Sequence, residues 1–208
     1  PLELGFRNGQ LQLPPGLLHG QSMANLYLQS IGNIANINSF DNLAIPFRAI
    51  ATDLESSQAV VLSQGNLVQA MLASATVPGA LTPIEIDGRL LVDGGMSDNL
   101  PIQVVRNMGA DIVIAVDISS PLQGREQLQN GLSVLRQLSG FLTNNSVHQQ
   151  KAFLQPHDIY LRPNIDNLST TDFSSMEQSY QAGVQMMQKQ QEHLKACLLY
   201  TSDAADEA

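Results

Sequence analysis

The stretch IEIDGRLLVDGG, residues 84–95, constrains the fold more than any other part of the sequence. Two apolar runs flank Asp87-Gly88, a pair typical of a two-residue type I′ turn because both turn positions need a positive φ. We therefore predict a β-hairpin whose second strand ends at Asp93. The residues that follow, up to Pro101, read as a polar turn that leads into a helix from Pro101 to Met108, with Asp98 or Asn99 as its cap.

Strand-like and helix-like segments alternate through most of the chain. The other predicted strands span residues 45–53, 59–62, 112–116 and 158–161. The other predicted helices span residues 16–31, 67–75, 128–142, 146–154 and 174–194. The continuous β-branched run at 112–116 is typical of a parallel strand that is covered on both faces. The expected fold class is therefore α/β, with a largely parallel central sheet and one antiparallel hairpin.

Composition narrows the possible functions. The chain has 208 residues, of which 43% are hydrophobic, so it can bury one sizeable core. Its net charge is −9 and its basic residues are not clustered, which argues against nucleic acid as a partner. The single cysteine excludes an internal disulfide framework and a cysteine-based zinc site. We expect no metal and no organic cofactor.

The last twelve residues, 197–208, do not continue the preceding helical pattern. They resemble the in-frame translation of a sequencing adapter, so we expect the fold to comprise residues 1–196 and to exclude this tail. A native disordered C-terminus is the alternative. The sequence begins with Pro rather than Met, and we expect it to be part of a longer protein.

Asp93 is the leading candidate for chemistry, although its motif has two interpretations. A carboxylate at the end of a strand, beside the bare backbone of Gly94 and Gly95, could act as a general base at the edge of a sheet. Asp-Gly-Gly is also ordinary turn chemistry. Asp53 and Asp117 follow other strands, and we expect both to have structural roles. The four histidines share no spacing typical of a triad or a metal site.

Several short motifs together resemble one family. They are Ala51-Thr-Asp53, Ala73-Ser-Ala-Thr-Val-Pro-Gly79, Asp93-Gly-Gly95, Asn99-Leu-Pro101, Gly109-Ala-Asp111 and Ala115-Val-Asp117. In this order and spacing they resemble the patatin-like phospholipases, the serine lipid acyl hydrolases that include bacterial neuropathy-target-esterase-like proteins. The match is strong over residues 43–118 and looser over 158–194, where it includes 170–173. The resemblance implies a three-layer patatin-like fold, of which this chain is the C-terminal portion.

The resemblance also implies a mechanism. Members of the family use a Ser–Asp dyad, and the aspartate of their Asp-Gly-Gly motif matches Asp93. Gly94, Gly95, Asn99 and Pro101 would then shape the site around this base. The serine belongs to a Gly-x-Ser-x-Gly elbow, which is absent here, as is the glycine-rich oxyanion loop.

Two other serines are weak candidates for the nucleophile. Ser97, in the closest string Gly95-Met-Ser-Asp-Asn99, reads as a turn residue, and Ser74 reads as structural. We therefore expect the nucleophile to lie upstream and this chain to be inactive. A non-catalytic module that binds lipid or a partner is the alternative.

The resemblance further implies lipid substrates and transient contact with a membrane surface. It slightly favours a bacterial periplasmic or outer-membrane-associated location over a cytoplasmic one. The lipid class, the acyl-chain preference and the oligomeric state stay open.

Overall fold

A computed structural model describes residues 5–7, 10–12, 16–18, 20–31, 36–168 and 173–206 of the chain. It is a mixed α/β structure. The chain divides into two compact units, one of residues 1–99 and 123–146 and the other of residues 100–122 and 147–208.

The first unit holds most of the strands. They are β1 (Gly5–Arg7), β2 (Gln10–Gln12), β3 (Gly16–Leu18), β4 (Asn36–Ile37), β5 (Ala49–Asp53), β6 (Ala59–Leu62), β7 (Gly65–Asn66), β8 (Gly79–Leu81), β9 (Ile84–Ile86) and β10 (Arg89–Asp93). Its helices are α1 (Gln21–Ile31), α2 (Leu67–Ser74) and α3 (Gly95–Asp98). The remaining elements are α4 (Ile102–Asn107), β11 (Ile114–Val116), α5 (Gly131–Lys151), β12 (Ile159–Leu161) and α6 (Met176–Asp206). Short 3-10 turns lie at Phe40–Asn42, Arg125–Gln127 and Phe173–Ser175.

The largest sheet of the described residues has four strands in the order β6-β5-β10-β9. All three of its strand pairs are antiparallel. The hairpin predicted at residues 84–93 is confirmed: Arg89 lies opposite Ile86, and the turn residues Asp87 and Gly88 have φ of 52° and 73°.

The largely parallel central sheet is not confirmed. Short links join β5 to β6 and β9 to β10, whereas a parallel pair needs a crossover of roughly a dozen residues or more. Parallel pairing occurs instead in two small sheets, β3 with β8 and β11 with β12.

One apolar core fixes β5 and β10 side by side. Asn66 caps α2 by accepting the Gln69 N–H, and the apolar stripe of α2 then packs on the sheet. The buried residues of this core are Phe40, Ala49, Ala51, Leu62, Leu67, Ala70, Ala73 and Leu91. The helical spacing seen in the sequence at 67–75 is thus confirmed. Through Leu91, this core anchors the end of β10, where Asp93 lies.

The second unit contains the parallel pair of β11 and β12. Ala115 of β11 is buried, but Ile114 and Val116 are 48% and 49% exposed. The prediction that this strand is covered on both faces is therefore wrong, because only alternate side chains reach the core.

The tail is part of a long helix. Residues 197–206 continue α6 without a break, and Cys197 is only 8% exposed. Cys197 packs with Ile159 and Leu161 of β12. The helix thus shows no boundary at residue 196, and the origin of the tail stays a prediction.

Candidate active site

Asp93 is the last residue of β10, and both of its main-chain polar groups are hydrogen-bonded. Its N–H donates to the carbonyl oxygen of Thr76 at 2.8 Å. Its carbonyl oxygen accepts the hydroxyl of Thr52, also at 2.8 Å. In the ladder Asp93 lies opposite Ala51 of β5. The backbone that carries the candidate base is therefore held from two sides.

The carboxylate of Asp93 is partly buried and its Oδ1 accepts the Gly95 N–H at 2.8 Å. Burial raises the pKa of Asp93 above its usual value, and the Gly95 hydrogen bond opposes this rise. Among the described residues no cation forms an ion pair with Asp93. A carboxylate with a raised pKa and no cationic partner is a better proton acceptor, as a general base requires.

The two glycines after Asp93 are needed for steric reasons. A Cβ on Gly94 would lie 2.1 Å from the backbone oxygen of Ile50 in β5. A Cβ on Gly95 would lie 2.7 Å from Asn99 Oδ1 and 3.2 Å from Asp93 Oδ1. Gly94 thus lets β5 approach the turn, and Gly95 keeps space beside the carboxylate.

Ser97 lies in α3 rather than in a turn, because a short helix begins directly after Gly94. Its Oγ is 2.8 Å from Thr52 Oγ1. The single hydroxyl proton of Thr52 goes to the Asp93 carbonyl, so Ser97 must be the donor between the two hydroxyls. The second acceptor near Ser97 Oγ is the Gly94 carbonyl at 3.4 Å. Ser97 therefore directs its proton away from the Asp93 carboxylate, which does not suit a nucleophile.

The other predicted site residues lie on either side of the division between the units. The Asn99 N–H donates to the buried hydroxyl of Ser146 at 2.8 Å. Pro101 occupies the N-cap of α4 and makes no capping hydrogen bond, and in the first turn of this helix the Gln103 N–H donates to Gln150 Oε1 at 3.4 Å. The prediction that Asp98 or Asn99 is the N-cap of α4 is wrong, because Asp98 is the last residue of α3 and Asn99 is the C-cap of α3.

The two other acids at strand ends have structural contacts. Asp53 Oδ1 accepts the Glu55 N–H, and its Oδ2 accepts the Ser56 hydroxyl. These two hydrogen bonds, that from the Glu55 N–H first, lower the pKa of Asp53. An acid stabilised in its ionised form by its own turn is a poor proton acceptor.

Asp117 is a buried anchor of the second unit. Its Oδ1 accepts the Ser119 N–H and hydroxyl and the Arg162 guanidinium, and its Oδ2 accepts the Tyr160 hydroxyl at 2.5 Å. Burial opposes ionisation, but these hydrogen bonds outweigh it and lower the pKa of Asp117. Burial and the Asp117 carboxylate together raise the pKa of Tyr160 to about 12.

The described residues contain neither a metal-binding cluster nor a helix that could span a membrane. In the part of the chain that the structure describes, no group of three or more His, Cys, Asp or Glu side chains could hold a metal ion. His19 and residues 170–172 of the looser family match lie outside the described residues. Within the described ranges, no helix combines the length and the apolar character that crossing a bilayer needs.

The sequence did not single out Thr52 as a site residue. The structure places its hydroxyl between Asp93 and Ser97, and Thr52 is only 4% exposed. The signal in the sequence that could have identified it is a hydroxyl residue directly after the apolar residues 49–51 of a predicted strand. Among the described residues, the arrangement provides a positioned proton acceptor, and no serine hydroxyl is hydrogen-bonded to its carboxylate.

Comparisons with known proteins agree with the motifs. The family model described as patatin-like phospholipase matches residues 2–106. An NTE family protein of Mycobacterium tuberculosis is 36% identical over 109 residues, which cover 52% of this chain and 29% of the relative.

Mammalian relatives match a longer part of the chain. Patatin-like phospholipase domain-containing protein 7 of Mus musculus is 30% identical over 182 residues, covering 75% of this chain and 13% of the relative. Patatin-like phospholipase domain-containing protein 6 of Homo sapiens is 30% identical over 181 residues, which cover 76% of this chain and 13% of the relative. The chain thus spans less than a third of the length of each of these relatives.

Proposed function

The chain belongs to the patatin-like phospholipase family, and from this premise we propose that it supplies the acid of a Ser–Asp dyad in a serine lipid acyl hydrolase. The family relationship supports lipid hydrolysis in general terms. The observation that carries the finer proposal is Asp93 itself: a strand-end carboxylate with a raised pKa, held by Gly95 and free of a cationic partner among the described residues.

In the proposed reaction, Asp93 acts as the general base. A serine hydroxyl is a weak nucleophile at neutral pH and needs an adjacent proton acceptor. The carboxylate takes the serine proton while the serine oxygen bonds to the ester carbonyl carbon. The tetrahedral intermediate then expels the alcohol, which receives the proton from Asp93. Water, activated by the same carboxylate, hydrolyses the acyl-serine and releases the fatty acid.

Within Asp93, Oδ2 is the oxygen suited to accept this proton. Oδ1 already accepts the Gly95 N–H, and no hydrogen bond to Oδ2 occurs among the described residues. The Gly95 bond thereby orients the carboxylate in the manner of the third member of a catalytic triad.

We propose that the nucleophile and the oxyanion loop lie outside these 208 residues. No Gly-x-Ser-x-Gly occurs in the sequence, and the relatives are several times longer than the matched segment. Ser97, the nearest serine in the sequence, has the Thr52 hydroxyl and the Gly94 carbonyl as its hydrogen-bond partners rather than the Asp93 carboxylate.

A direct test uses the purified 208-residue chain and a short-chain acyl ester of a chromogenic alcohol. We expect no hydrolysis above a protein-free blank. Turnover that disappears in Asp93→Ala would show that a nucleophile exists within these residues, and the proposal that it lies outside would be wrong.

The competing proposal is a non-catalytic module that binds lipid or a partner. The absence of a Gly-x-Ser-x-Gly elbow from these residues favours it as a second candidate. The two proposals differ in the sequence that precedes Pro1 in the gene. A glycine-rich loop followed by an intact elbow supports the enzyme, whereas an elbow with its serine replaced supports the binding module.

The substrate class implies transient contact with a membrane surface, which we also propose. The relatives reported above come from mycobacteria and mammals. They lend no support to the expected periplasmic or outer-membrane-associated location.

A further inference from the structure

We infer that Thr52 is a positioning residue for Asp93, and that the Thr52 hydroxyl determines the position of the Asp93 carboxylate. This inference rests on the proposed function for the use made of Asp93, but the positioning itself can be measured without any activity. The argument depends on how the end of β10 is held.

Asp93 stands where the regular ladder stops. Its N–H bonds to Thr76, which is outside β5, and after it the chain turns at once into α3. The carbonyl of Asp93 accepts a side chain, the Thr52 hydroxyl, at 2.8 Å. That hydroxyl is thus the contact through which β5 holds the carbonyl side of Asp93, just before the Gly94-Gly95 turn.

Thr52 is itself held in one orientation. It is 4% exposed and lies opposite Val92, the residue before Asp93. Thr52 donates its single hydroxyl proton to the Asp93 carbonyl, so its Oγ1 can accept the proton of the Ser97 hydroxyl, which lies 2.8 Å away in α3. The contacts from Ser97 to Thr52 and from Thr52 to the Asp93 carbonyl therefore link α3, β5 and the end of β10.

The consequence for the carboxylate follows from Gly95. The bond from the Gly95 N–H to Asp93 Oδ1 spans the turn that the Thr52 hydroxyl secures. When the hydroxyl is removed, the Asp93 carbonyl loses its side-chain donor, and the turn can relax away from β5. The Gly95–Asp93 hydrogen bond is the contact that should lengthen or break.

The test is an NMR titration of the ¹⁵N-labelled 208-residue chain. The Gly95 amide signal should follow the protonation of Asp93, because that amide donates to the titrating group. In Thr52→Val, which keeps the shape and removes the hydroxyl, we expect the Gly95 amide signal no longer to follow the protonation of Asp93; we call this dependence the Gly95 coupling. In Thr52→Ser, which keeps the hydroxyl, we expect it to be retained.

Thr82→Val is the matched control. It makes the same chemical change in the same unit, and Thr82 Oγ1 is buried without a hydrogen-bond partner among the described residues. The Gly95 coupling should be unchanged in this variant. An unchanged coupling in Thr52→Val would overturn the inference. So would its loss in Thr52→Ser, and that result stays decisive if Thr52→Val does not fold.

A second readout uses the longer enzyme that carries the nucleophile. A carboxylate misplaced by about 1 Å costs roughly 100-fold in rate, so Thr52→Val should lower kcat by that order and leave KM unchanged, with rescue by Thr52→Ser. If Asp93→Asn leaves that enzyme active, the proposed function fails while the NMR result still decides the role of Thr52.

Discussion

Gly94→Ala is the substitution that most directly tests the packing around the candidate base. The new Cβ would lie 2.1 Å from the oxygen and 2.5 Å from the carbon of the Ile50 carbonyl. Ordinary van der Waals contact begins at 3.4 Å, so the turn and β5 must separate by about 1.3 Å, from 2.1 to 3.4 Å. A Cβ is fixed by the backbone that carries it, and its contact is the backbone of Ile50 within β5, so no side-chain rotation relieves the clash.

The expected cost is at the upper end of the roughly 1–3 kcal/mol that overpacking of a well-packed core removes from the free energy of unfolding. A graded series gives the control. Gly95→Ala meets the end of the Asn99 side chain at 2.7 Å, which can move, so its cost should be smaller. Gly124→Ala meets nothing within 4 Å at an ordinary φ of −71°, so it should change stability by no more than about 0.5 kcal/mol.

The assay is urea unfolding of the three variants, all of which lie in the same unit. We expect the midpoint to fall most for Gly94→Ala, less for Gly95→Ala and hardly at all for Gly124→Ala. A Gly94→Ala protein as stable as Gly124→Ala would refute the close approach of β5 to this turn. The packing of β5 against the turn after Asp93 would then no longer support a fixed position for this residue.

Two further predictions concern two aspartates whose pKa values are shifted in opposite directions. Asp158 has a side chain with no exposed surface, and although burial opposes ionisation, hydrogen bonds from Gln155, Val113 and Arg106 lower its pKa. It therefore stabilises the fold above the unfolded value of about 3.9, and this contribution is lost as pH falls through the lower folded pKa. Asp158→Asn should lower the free energy of unfolding at pH 7 by about 2–3 kcal/mol, and in urea titrations from pH 7 to 3 the stability of this variant should depend less on pH. Asp166 is half-exposed, so Asp166→Asn should change neither the stability nor its pH dependence. Equal behaviour of the two variants would contradict this prediction. Asp93 has a raised pKa, so its ionised form costs stability above its folded pKa. Asp93→Asn should therefore raise the urea midpoint at pH 7, with the gain vanishing below pH of about 3.9, and a lower midpoint at pH 7 would show that ionised Asp93 stabilises the fold.

Local patterns predicted the elements closest to the site. The Asp87-Gly88 turn and the apolar spacing of α2 are governed by neighbouring residues, so the hairpin and this helix were predictable. The pairing of strands distant in sequence was not. In the main sheet, β10 pairs with β5, about forty residues earlier in the sequence, and no local pattern records this pairing.

Helix ends were also misjudged. The helix predicted at 16–31 begins at Gln21, because Gly16–Leu18 pairs as β3 with β8. The two helices predicted at 128–142 and 146–154 form the single helix α5, since the polar run Thr143-Asn-Asn145 lies within it without breaking it. Polar side chains at these positions cost a helix little.

For the site, the motif identified Asp93 but not what holds it. The Thr52 hydroxyl, the Thr76 carbonyl and the Ile50 backbone all come from segments that are distant in sequence. Their contacts arise only when β5 and the end of α2 meet β10. A single sequence therefore reveals the reactive residue more readily than the residues that hold it in position.

The most direct measurement is the esterase activity of the proposed longer, nucleophile-bearing enzyme with Asp93→Asn. The amide keeps the size of the carboxylate and an oxygen for the Gly95 N–H, but it cannot accept the serine proton. We predict that kcat/KM falls by about 10⁴-fold while the fold is retained. Asp53→Asn, the same change at another strand-end acid, should leave activity close to that of the unmodified enzyme. Near-full activity in Asp93→Asn would remove Asp93 from the mechanism and contradict the account.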